Sequence, residues 1–173
     1  MTQLIIWLVG EPGIGKTTIA RELLLSYGTR GHEYQTPKWT CFGVAAGAGH
    51  WRGTKFDGAD TLPISQIKLA LPFFVNVIPA EVAILDGDKL ASQSAVEFAT
   101  EVECRLMCFH FIGEQTARRQ RAARATHQQE HWVAGRRTKA QNFYNRFPGT
   151  RYEVPIIPNT SAIVDLIRSS ITR

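Results

Sequence analysis

The eight residues Gly10-Glu11-Pro12-Gly13-Ile14-Gly15-Lys16-Thr17 match the pattern G-x-x-x-x-G-K-[ST] in full. No other feature of the chain constrains its fold as strongly. The pattern works where a buried strand runs into a tight glycine turn and a helix starts directly after it. Both flanks are present. Gln3–Val9 is a short apolar run of the kind a parallel strand buries on both faces. Lys16–Tyr27 carries Ile19, Leu23 and Leu24 at helical spacing before Gly28 closes it. In such a turn the backbone N–H groups face phosphate oxygens, and the helix start adds the positive end of its dipole. Lys16 then reaches the β/γ-phosphates and the Thr17 hydroxyl ligates Mg²⁺. Gly10, Glu11, Pro12, Gly13, Ile14, Gly15, Lys16, Thr17 and Thr18 are therefore expected to form a nucleoside triphosphate site, with ATP and Mg²⁺ as its occupants.

The rest of the chain alternates in the same way. Trp39–Gly43, Glu81–Leu85, Leu106–Ile112 and Glu153–Ile157 read as strands. Helices are expected over Ser65–Val77 with a kink at Pro72, and from a capping box of Ser94 and Glu97 to about Cys104. Thr116–His131 is helix-compatible, Arg137–Arg146 continues after Gly135, and Ser161–Ile171 closes the chain with Ile163, Leu166 and Ile167 inward. The expectation is an α/β protein with a three-layer P-loop NTPase fold. Its mostly parallel five-stranded sheet would carry helices on both faces and a basic helical lid after strand four. One domain covers residues 1–173, with the lid at about 114–147.

No apolar run reaches the roughly 18 residues that span a membrane. The N-terminal MTQLIIWLVG lacks a basic n-region, which argues against a signal peptide. Three cysteines, Cys41, Cys104 and Cys108, cannot all pair. Free thiols in a reducing cytoplasm are the expectation, ahead of a metal site built on Cys104, Cys108 and His110.

In such a sheet ligands bind at the carboxyl ends of the strands. Asp86 ends the apolar third strand, where a P-loop protein places the carboxylate that holds Mg²⁺, although an Asp-Gly pair also suits a plain turn. The net charge of +5 sits mostly in one place. Between Thr116 and Arg146 there are eight Lys/Arg and one acid, Glu130. Arg118, Arg121 and Arg124 recur every three residues, so on a helix they form a stripe able to close over a triphosphate and stabilise the transferring phosphoryl group. Trp132, Arg136, Lys139 and Asn142 align on one helical face, which suits an unstacked base and its phosphates or, equally, a Trp anchoring a hairpin to the body. No N-K-x-D guanine signature follows Lys89, and one domain leaves no room for large ATPase modules. A small kinase is the best reading.

The loop HWRGTKFDGADTLP, residues 50–63, mixes acids, bases and two aromatics among glycines with no regular period. Loops of that length in compact domains are usually functional or disordered, and the two embedded aromatics argue against disorder.

The P-loop, Asp86 and the Arg-rich segment resemble the adenylate-kinase-like P-loop kinases over nearly the whole chain. Phe56-Asp57-Gly58-Ala59-Asp60-Thr61-Leu62 and the run Gln129–Asn142 further resemble segments of bacteriophage 5-hydroxymethyluracil-DNA kinases, although Gly-Ala-Asp stands here where that family carries Gly-Thr-Asp. The resemblance implies transfer of the ATP γ-phosphate to the hydroxymethyl group of 5-hydroxymethyluracil in DNA, a step toward hypermodified thymine in a host-cell cytoplasm. It places Asp60 as general base, with Asp57 as runner-up and Asp86 sharing the work through Mg²⁺. Trp51 and Phe56 would stack an extruded base, and Arg52 and Lys55 would meet flanking phosphates. Two other readings stay open: a kinase for a free nucleoside, nucleotide or sugar, and a nucleotide-binding regulatory module without acceptor transfer.

Overall fold

The computed structural model describes residues 3–26, 32–35, 40–43, 45–48, 82–87, 91–123, 129–157 and 159–172. Seven strands form one sheet: β1 (Leu4–Gly10), β2 (His32–Gln35), β3 (Thr40–Gly43), β4 (Ala45–Ala48), β5 (Val82–Asp86), β6 (Arg105–Ile112) and β7 (Thr150–Pro155). Five helices are present among the described residues: α1 (Lys16–Ser26), α2 (Gln93–Glu101), α3 (Glu114–Ala123), α4 (Glu130–Arg146) and α5 (Thr160–Ile171).

The strand order is β2-β3-β4-β5-β1-β6-β7. Four of the five expected strands stand side by side as the parallel ladder β5-β1-β6-β7. The expected second strand is β3, and it runs antiparallel to both its neighbours. The parallel place beside β5 belongs instead to β4, Ala45–Ala48, which sequence reading assigned to a loop. An Ala-Ala-Gly-Ala run offers neither β-branched residues nor alternation, so nothing in its pattern marks a strand. Among the described residues the count of five becomes seven for that reason, and because the short polar β2 carries no signal either.

Side-chain alternation divides the ladder into two faces. Leu4, Ile6 and Leu8 of β1, with Met107, Phe109 and Phe111 of β6, pack with Ile19 and Leu23 of α1 and Ile163, Val164 and Ile167 of α5. Trp7 points to the opposite face and meets Phe143 and Phe147 at ring centroids 6.2 and 5.3 Å away. Helix α4, which supplies Phe143 and ends directly before Phe147, lies against β1 and β6, and α2 contacts β6.

Three local expectations change. Helix α2 is capped by Ser92, whose side chain accepts from the Ala95 N–H, rather than by Ser94. Leu166 is 45 % exposed, and Val164 takes the inward position expected of it. Gly135 does not interrupt its helix: α4 runs unbroken from Glu130 to Arg146 because its inward residues Val133 and Ala140 anchor it on either side. Tertiary packing outweighs the roughly 1 kcal/mol a helical glycine costs. The helix expected over Ser65–Val77 lies outside the described residues.

Candidate active site

Between β1 and α1 the chain makes the expected glycine turn. Gly10, Gly13 and Gly15 have φ of 148°, 82° and 101°. At Gly13 both backbone and space demand glycine: its φ is left-handed, and a Cβ would sit 2.7 Å from Cγ of Arg121. The buried Lys16 folds back over the loop, and its Nζ donates to the carbonyls of Gly10 and Glu11 at 3.0 Å each. Thr17 follows as the second residue of α1, and Thr18 beside it is exposed.

Parallel pairing places Leu8 opposite Asp86, and the Gly87 N–H donates to the Leu8 carbonyl at 3.1 Å. That register carries the fully buried Asp86 to the P-loop, where Thr17 Oγ1 donates to its Oδ2 at 2.7 Å. A hydroxyl and a carboxylate at this spacing are hard oxygen donors of the type Mg²⁺ selects, so the residues present fit that ion.

Two helices then bring arginines onto the loop. Arg121 of α3 donates from Nη1 to the Pro12 carbonyl at 2.6 Å and lies 4.0 Å from Glu11 Oε2. Arg137 of α4 donates from Nε and Nη2 to the same Glu11 oxygen at 2.9 and 2.7 Å. Glu11 itself is only 4 % exposed. Of the expected stripe, Arg121 is therefore at the P-loop. Arg118 lies on the same helix, one turn earlier, and Arg124 falls outside the described residues. Arg137 is the arginine that sequence reading missed. The available signal was Glu11, an acid inside a loop built for anions, which calls for a cationic partner.

A cleft of about 190 Å³ adjoins this pair, lined by Glu11, Ile14, His110, Gly113, Arg137 and Gln141. His110 sits on β6, paired in register with Val9, and is almost fully buried. Burial pushes its pKa below the usual 6.5; Glu153 opposes that shift and the charge of Lys16 adds to it. Its ring lies 5.2 Å from that of Tyr144.

A larger groove of about 390 Å³ runs between α2 and α4, past Gln93, Thr138, Lys139, Asn142, Phe143 and Arg146. Lys139 and Asn142 were expected at a substrate site and do share this groove. Trp132 is 39 % exposed near the start of the helix, and the Arg136 guanidinium covers its ring at 4.9 Å. Arg136 thus stacks on the indole instead of lining the groove. Arg146, seven residues beyond Lys139, was legible as the next position on the same face. Gln93 comes from another helix and was not.

Cys108 is buried and its thiol is pushed up to about 12, while Cys104 donates to Gln3 Oε1 at 3.9 Å. Among the described residues no cluster of three or more His, Cys, Asp or Glu is arranged to hold a metal ion, and no helix is long and apolar enough to cross a membrane. Trp51, Arg52, Lys55, Phe56, Asp57 and Asp60 lie outside the described residues.

A family model described as P-loop Nucleotide Kinase3 matches residues 1–172. Among solved structures, deoxyadenosine kinase from M. mycoides with bound dATP is similar with a TM-score of 0.53 at 14 % identity, over 98 % of this chain and 100 % of that one. At that identity the likeness is one of fold. No curated protein matches.

Proposed function

On the premise that the chain belongs to the P-loop Nucleotide Kinase3 family, we propose that it transfers the γ-phosphate of ATP to the 5-hydroxymethyl group of 5-hydroxymethyluracil in DNA. The observation that carries the acceptor side is the open groove along α4. It sets Lys139 and Arg146 beside the amides of Asn142 and Gln93, with the exposed Trp132 on the same helix. Cations track a phosphate backbone.

The donor side rests on Lys16, Thr17 and Asp86. The Thr17 hydroxyl and the Asp86 carboxylate would hold Mg²⁺, which when bound would supply charge neutralisation for the triphosphate. Lys16 and Arg121 stabilise charge on the transferring group. The hydroxymethyl oxygen forms a bond to the γ-phosphorus, the bond from that phosphorus to the ADP oxygen breaks, and the hydroxyl proton passes to the Asp60 carboxylate. Trp51, Arg52, Lys55, Phe56 and Asp57 complete the acceptor contacts in this reading.

The fold likeness to a deoxyadenosine kinase favours a second reading, a kinase for free nucleosides. Supplying γ-labelled ATP with hydroxymethyluracil-containing DNA, unmodified DNA or free nucleosides separates the two. Label is expected in the modified DNA; label in nucleosides alone would leave the second reading standing, and label in no acceptor would favour a regulatory module. Lys16→Ala is expected to stop transfer, and Asp60→Asn to spare ATP binding while stopping transfer.

A further inference from the structure

A loop that binds a polyanion has, in this chain, a carboxylate at its second position. Glu11 is 4 % exposed, so water does little to screen its charge. Its Oε2 receives both Nε and Nη2 of Arg137, and its Oε1 is buried with no hydrogen-bond partner. Arg121, the other nearby guanidinium, is 4.0 Å from Oε2 and spends its short bond on the Pro12 carbonyl. Arg137 thus makes the close contacts to that carboxylate. It sits on α4, whose Phe143, with Phe147 directly after the helix end, packs on Trp7.

We infer that Arg137 is a positioning residue for the donor nucleotide: it neutralises Glu11, so that the P-loop offers its full positive field to a triphosphate only while α4 is docked. Arg137 acts through Glu11 and need not touch phosphate. Removing it leaves a buried carboxylate beside the incoming phosphates, and like charges at short range repel. Removing both partners takes the problem away. That asymmetry distinguishes this role from a direct phosphate contact, for which loss of Glu11 gives no relief.

The inference rests on the reading of Gly10–Thr17 as a nucleotide site, and the test separates the two. ATP binding is measured by calorimetry at fixed salt for the wild-type chain, Arg137→Ala, Arg137→Lys, Glu11→Gln and the double variant Glu11→Gln/Arg137→Ala, with thermal melting as a control on folding. Arg137→Ala is expected to weaken binding by about tenfold or more, and Arg137→Lys by less, since charge is kept. Glu11→Gln is the reference background, in which loss of Arg137 is expected to cost less than about threefold, so that the double variant binds within about threefold of Glu11→Gln itself. In turnover the Arg137→Ala defect is expected in KM for ATP rather than in kcat. A double variant that falls below Glu11→Gln by as much as Arg137→Ala falls below wild type, or an Arg137→Ala that binds normally, overturns the inference. A wild-type chain that binds no ATP overturns the donor-site reading itself.

Discussion

Leu4, Ile6 and Leu8 leave β1 toward one face of the sheet and Trp7 toward the other, and the helices covering those faces differ in kind. The first face meets aliphatic positions of α1 and α5 and forms one continuous apolar cluster. The second meets aromatic rings of α4, one of them beside the buried His110 imidazole, and the same helix carries Arg136, Arg137, Lys139 and Arg146. One face buries apolar area and little else. The other buries enough to hold α4 in place and spends the rest of that helix on charge. The groove proposed for the acceptor lies on the α4 side, whereas Lys16 and Thr17 begin α1, which covers the first face.

Substitutions should split along the same line. Phe109→Ala, on the aliphatic face, is expected to cost about 3–5 kcal/mol of stability, read from chemical denaturation, with little change in KM for either substrate. A selective rise in KM would place acceptor chemistry on the wrong face. On the α4 side, Lys139→Ala and Arg146→Ala should each weaken DNA binding several-fold, on the order of 1 kcal/mol, and lower its salt dependence while melting stays near wild type. An unchanged salt slope in both would remove the groove from the acceptor path. Gly135→Ala sharpens this further. A Cβ there meets nothing within 4 Å, so the helix should gain up to about 1 kcal/mol. A stabilised variant with poorer DNA binding would mark the groove as occupied during turnover.

The smallest effect is that of His110. Burial holds its pKa below the ordinary 6.5, so the unfolded chain binds the proton more readily. Stability is full above about pH 6.5 and falls as pH drops toward the lowered folded value. His110→Gln should flatten that decline in a melting series from neutral to mildly acidic pH. An equal decline in the variant would assign the sensitivity to other groups.

Sequence alone carried the donor half far. The glycine pattern, the strand before it and the acid closing a later apolar run are local signals, and they singled out Lys16, Thr17 and Asp86, of which the structure brings the Thr17 hydroxyl and the Asp86 carboxylate together. The order of the sheet was less legible, because β4 is made of Ala and Gly and enters the parallel ladder through its neighbours rather than its own propensity. Pairings between elements were not legible at all. Nothing in the spacing of Glu11 and Arg137, 126 residues apart, links them, and Gln93 joins the groove only because α2 and α4 share a face.

The position of β1 has a consequence for how the chain is made. It lies between β5 and β6, yet both partners come later in the sequence, at residues 82–86 and 105–112. Until the ribosome has passed them, a seven-residue apolar strand has both hydrogen-bonding edges unsatisfied. The Thr17–Asp86 bond, which spans 69 residues, cannot form before β5 has been made. A fragment ending before β6 is expected to aggregate rather than bind nucleotide, and soluble yield in a truncation series should rise only once residue 112 is included.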